Sequence, residues 1–165
     1  MASLNQLMLN HKEIFRQKFV EALAKKNNMT HEQTLTEFKD SIDRYIDEKY
    51  APVQQLIEEI SDADQPVLLN IRRDRRREDS CKLCEGNQPN IDEIARKYGK
   101  SIDIIEITDD TPEGGSLYHI IFHEDAGEKK LPLTAVINRG EVLKSWAAKV
   151  VEPSVYEIYI KRILS

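Results

Sequence analysis

Over the first sixty positions, apolar residues recur every three or four places, the spacing of one helix face. Leu4, Leu7, His11, Ile14, Phe15, Phe19 and Leu23 make one stripe, and Asn27-Asn28 interrupts it. Thr30 followed by Gln33 fits a capping box, in which hydroxyl and amide satisfy each other's orphan backbone N–H groups, and predicts the start of a second helix. Its stripe runs through Leu35, Phe38, Ile42, Tyr45 and Ile46, then Val53, Leu56, Ile57 and Ile60. Pro52 is expected to kink or restart that helix, because it lacks an N–H and crowds the preceding turn.

After Asp64-Gln65-Pro66 the periodicity changes. Residues 66–71 form a short apolar run that predicts a buried strand. Ile91, Ile94, Ala95 and Tyr98 mark a helix closed by Gly99, and Ile102, Ile104, Ile105 and Ile107 predict a second buried strand. Residues 133–137 and 141–145 flank Asn138-Arg139-Gly140 and predict a hairpin with glycine in its turn. Val155, Ile158, Tyr159, Arg162 and Ile163 predict a closing helix. The segment from Thr108 to Gly127 is equally compatible with helix or strand. The reading is an α/β chain with a central mixed sheet flanked by helices: an N-terminal helical extension over 1–51 and a second unit over 52–165.

Composition narrows the functional classes. With 165 residues, 40% hydrophobic and 32% charged, the chain supports one packed core plus an extension. A net charge of −5 argues against general binding to nucleic acid. No leader pattern is visible at the N-terminus, and no run approaches the roughly 18 apolar residues of a membrane helix. The expectation is a soluble cytoplasmic protein with no membrane partner, where a structural disulfide is uncommon. Charge is uneven: residues 1–28 hold five basic and two acidic side chains, residues 30–65 three basic and ten acidic. Two oppositely charged helices suit a hairpin covering the adjacent domain, or a surface for a partner.

Two cysteines only three positions apart, Cys81 and Cys84, then call for a chemical explanation. A thiolate attacks disulfides, and a helix start lowers a cysteine's pKa to between about 3.5 and 7.5. Two intervening residues place the second sulfur where it can resolve a mixed disulfide. Cys81, nearer the helix start, is the candidate nucleophile, and Cys84 the candidate resolving thiol.

The residues from about 52 to 165 resemble thioredoxin. The Cys-x-x-Cys pair follows a buried strand and opens a helix. Pro89 and then Asp92-Glu93-Ile94-Ala95 follow in the family's register. Leu131-Pro132 stands at the place of the family's cis-proline, and Asn138-Arg139-Gly140-Glu141-Val142 reads like its Asn-Gly-Glu-Val turn. The resemblance implies a thioredoxin-like fold and a thiol–disulfide oxidoreductase with a redox-active Cys81–Cys84 disulfide and no further cofactor. It implies a protein disulfide or dithiol substrate, a thiol reductant or reductase, and a substrate groove at Lys82, Leu83, Leu131 and Pro132. The alternative is a thioredoxin-like binding or chaperone module with little redox turnover.

Several positions depart from the family. Ser80-Cys81-Lys82-Leu83-Cys84 replaces Trp-Cys-Gly-Pro-Cys. Asn70 stands where the family has a buried aspartate, and Glu106 where it has a lysine. Glu106 is therefore either a buried carboxylate accepting the Cys84 proton or a solvent-facing residue at a strand edge. Residues 72–79, with five arginines, are an insertion. They fit three roles: favouring a thiolate, attracting an acidic or phosphate-bearing partner, or forming a solvated loop tempered by Asp74, Glu78 and Asp79. His119 and His123 with the cysteines would make a Cys2His2 set, but their spacing is too long for a zinc finger, and no metal is expected.

Overall fold

Local sequence sets the two N-terminal helices. Ser3 accepts the Gln6 backbone N–H and opens α1 (Leu4–Lys26). The expected capping box is present: Thr30 Oγ1 accepts from Gln33 N at 3.1 Å, and Gln33 Oε1 accepts from Thr30 N at 2.9 Å. It starts α2 (His31–Asp62). A computed structural model gives the fold, with residues 2–122 and 128–165 described.

α2 runs without a break through Pro52, contrary to the expected restart. Tyr50 and Val53 beside the proline are both buried, and their packing outweighs the one missing backbone hydrogen bond. The junction placed between residues 51 and 52 thus falls inside α2, and both halves of that helix enter one apolar cluster. On α1 the buried residues are Leu4, Met8, Val20 and Ala24, while Ile14 is half exposed. The opposite charges of the two helices meet across the hairpin: Arg16 pairs with Asp43 at 2.6 Å and Lys12 with Asp47 at 3.3 Å.

The sheet has five strands: β1 (Ala2–Ser3), β2 (Val67–Arg72), β3 (Asp103–Thr108), β4 (Leu133–Asn138) and β5 (Glu141–Ala147). Their order is β1-β5-β4-β2-β3, with β2 and β3 parallel and the other pairs antiparallel. The helices α3 (Lys82–Tyr98), α4 (Pro112–Ile121) and α5 (Pro153–Leu164) complete the chain. The segment left open in the sequence therefore contains a helix, capped by Thr111 on Gly114 N. β3 differs from its expected burial. It is an edge strand, and its residues are half-buried or exposed. Between β4 and β5, Arg139 (φ 50°) and Gly140 (φ 81°) both have positive φ, as a tight type I′ hairpin requires.

Alternation along β2 and β4 sorts the two faces. Val67, Leu69 and Ile71, with Leu133, Ala135 and Ile137, meet side chains of α1, α2 and α4. Leu68 and Val136 meet α3 and α5 through Ile91, Ile94, Tyr156 and Ile160. Asn70, Arg72 and Thr134 share the parity of Leu68 and Val136, so the α3 face also carries the sheet's buried polar side chains.

Candidate functional site

The cysteine pair is built by the chain's return from β2 to α3. Cys81 is the N-cap residue of α3, with extended backbone (φ −106°, ψ 101°), and its Sγ accepts the Cys84 backbone N–H at 3.1 Å. The two sulfurs are joined in a disulfide, with the Cα atoms 5.2 Å apart. Cys84 is buried, whereas Cys81 is only partly covered. An incoming group therefore meets Cys81 first. Lys82 and Leu83 fill the exposed turn between the sulfurs, and Leu83 keeps 41% of its surface exposed.

A second segment approaches from β4. The Leu131–Pro132 peptide bond is cis, and the Leu131 carbonyl oxygen lies 3.8 Å from Cys81 Sγ. Leu131 and Pro132 are themselves buried, so the backbone rather than either side chain is what this segment offers next to the sulfur. Cys81, Cys84, Lys82, Leu83 and Leu131-Pro132 are thus brought to one end of the sheet.

Glu106 stands apart from that cluster. It lies exposed on the edge strand β3, where its carboxylate accepts hydrogen bonds from Asn70 Nδ2 at 3.3 Å and from Gln88 Nε2. Gln88 was not singled out in the sequence. It lies one helical turn after Cys84, which was the available clue to its facing the sheet. Its Oε1 accepts from Arg72 Nη1 at 2.7 Å, and its Nε2 also donates to Asp92 Oδ1 at 3.1 Å. Arg72, 5% exposed, reaches Glu85 Oε1 with Nη2 and the Arg73 carbonyl with Nε. The Arg72 guanidinium beside Glu85 holds that carboxyl below its ordinary value. It also offsets a negative charge that would otherwise oppose ionisation of the adjoining thiols.

The other arginines of the insertion are tied to carboxylates too. Arg76 chelates Asp74, pulling its carboxyl down to about 2, and Arg77 forks onto Asp79, lowering that one as well. The five guanidinium groups are therefore not a free positive field at the helix start. They form a braced loop.

His119 lies on α4, edge-on to Tyr118 at 5.2 Å between ring centroids. His123 falls outside the described residues. Among the described residues no group of three or more His, Cys, Asp and Glu is arranged to hold a metal ion, and no helix is long and apolar enough to cross a membrane.

No family model matches the chain, and no curated protein matches it. One solved structure, described only as that of a malarial protein, aligns with 62% of this chain and 100% of its own, at 19% identity and a TM-score of 0.47.

Proposed function

We propose that the chain is a thioredoxin-like thiol–disulfide oxidoreductase acting on protein disulfides through Cys81 and Cys84. The observation that carries this reading is the disulfide at the N-cap of α3, with one sulfur accessible and the other buried. The backbone carbonyl of Leu131 beside Cys81 supports it, as does the element order after residue 65: strand, helix, parallel strand, helix, then an antiparallel hairpin and a last helix.

In the reduced protein the Cys81 thiolate attacks one sulfur of a substrate disulfide. A Cys81–substrate S–S bond forms, the substrate's own S–S bond breaks, and the departing thiolate takes a proton from solvent. Cys84 then gives up its proton and attacks Cys81 Sγ. This re-forms the Cys81–Cys84 bond and releases the second substrate thiolate. Two electrons pass from the cysteine pair to the substrate, and a thiol reductant or a reductase restores them. The Cys84 N–H that meets Cys81 Sγ in the disulfide would also hold the thiolate, and the positive end of α3 favours it further.

Reduction of insulin by dithiothreitol tests the reading. The protein should accelerate it, and Cys81→Ser should abolish the acceleration. Wild-type protein that leaves the rate unchanged would instead favour a binding or chaperone module.

A further inference from the structure

Resting on the thiol–disulfide reading above, we propose that the cleft beside the redox helix is an anion subsite that binds a carboxylate carried by the disulfide substrate, held between Arg73 and Arg75. The cleft measures about 290 Å³ and is lined by Arg72, Arg73, Asp74, Arg75, Glu106 and Thr108, among others. It opens at the carboxyl ends of the parallel strands β2 and β3, which end at Arg72 and Thr108. Crevices at that end of open α/β sheets are where such folds bind ligands. The cleft adjoins the redox pair, because Arg72 and Arg75 both reach Glu85, the residue after Cys84.

Charge counting identifies what is missing. Four arginines draw on two carboxylates. Arg72 holds Glu85 closely and Arg75 reaches the same oxygen only at 3.6 Å. Arg77 holds the Asp79 carboxylate at 2.9 Å; Arg73 reaches that carboxylate only at 3.7 Å, its Nη1 donating to the Asp79 backbone carbonyl at 3.2 Å. Arg73 and Arg75, the outer claimant in each case, both line the cleft. Arg73 Nε is in addition buried without a partner among the described residues. The carboxylates at the cleft are already engaged: Asp74 by Arg76, and Glu106 by Asn70 and Gln88. One further carboxylate would satisfy both loosely held guanidinium groups, whose planar forks match that geometry.

The test compares two small disulfides in single-turnover reaction with the reduced protein: dithionitrobenzoate, which carries carboxylates, and dithiodipyridine, which is neutral. Taking the ratio of the two rates cancels changes in the Cys81 thiolate itself. Any accessible thiol reacts with both reagents, so the ratio is measurable even if the protein reduces no insulin. Arg73→Gln combined with Arg75→Gln should lower the ratio about fivefold at low salt, the scale of one or two exposed ion pairs. Glu85→Gln should raise it, by freeing Arg75. Arg96→Gln combined with Arg162→Gln, which removes the same two charges away from the cleft, should move it much less. An unchanged ratio in the Arg73/Arg75 variant, or an equal fall in the Arg96/Arg162 variant, would overturn the subsite.

Discussion

Asn70 and Glu106 face each other across the parallel pair β2–β3, and the amide donates to the carboxylate at 3.3 Å. The buried member of this pair cannot ionise, and the ionisable member sits at the exposed sheet edge. Gln88 completes the arrangement by linking Glu106 to the buried Arg72 guanidinium. The polar layer under α3 is thus held by one neutral side chain with hydrogen bonds on both its oxygen and its nitrogen.

Removing that side chain should be costly. Gln88→Ala leaves Arg72 without one of its acceptors, and an unpaired buried polar group costs about 1–3 kcal/mol. The denaturant midpoint should fall accordingly with an unchanged m-value. A midpoint equal to wild type would mean that water replaces Gln88 without loss.

Glu106 is exposed and already bound to two amides. Glu106→Gln should therefore leave the pH dependence of the resolving step in place. The step is read as release of the second thiol from a mixed disulfide at Cys81. A displacement of about one pH unit, equivalent to about 1.4 kcal/mol, would instead assign the Cys84 proton to this carboxylate.

Burial separates the two cysteines. Alkylation of the reduced protein near neutral pH should label Cys81 before Cys84, as read by peptide mass. Equal labelling would remove the basis for assigning them different roles.

The hairpin predicts an alkaline transition. Burial raises the Tyr50 hydroxyl from 10.0 to about 12, and His11 Nδ1 stands 2.7 Å from it. The folded state favours the protonated phenol. Its contribution to stability is complete below the unfolded value of about 10, and is lost as pH rises from there through about 12. Denaturant midpoints measured across that window should fall for wild type more steeply than for Tyr50→Phe. Parallel slopes would show that the hydroxyl titrates as it does in the unfolded chain.

Periodicity made most of the scaffold legible, and its failures have physical causes. Ile42, Ile46, Ile57 and Ile60 are buried where the stripe of α2 places them. Pro52 does not restart the helix, because packing at Tyr50 and Val53 holds it together where local geometry penalises it. β3 looked buried because four isoleucines cluster there, yet only Ile102, just before the strand, is fully covered. The cysteine pair was visible from spacing alone. Its surroundings were not: Arg72 read as one of five loop arginines, and only the end of β2 turns it inward to Gln88 and Glu85. Charge pairing within the insertion was legible as composition, but which carboxylate serves which guanidinium depends on the loop's path.

The two-residue strand β1 is easily passed over, since Ala2 and Ser3 are too short a run to show alternation. They pair with Val142 and Glu141, and Leu4 N donates to the Gly140 carbonyl at 2.7 Å. Ala2 and Ser3 are thus synthesised well before the strand they pair with. Their docking edge does not exist until the β4–β5 turn has been made, and closing so distant a contact is slow in chains of high contact order. Until then α1 and α2 can pair only with each other, through Arg16–Asp43 and Lys12–Asp47, while their apolar side waits for a sheet. The helical hairpin begins as a nascent piece held by its own contacts and ends as the cover of one face of a sheet synthesised after it.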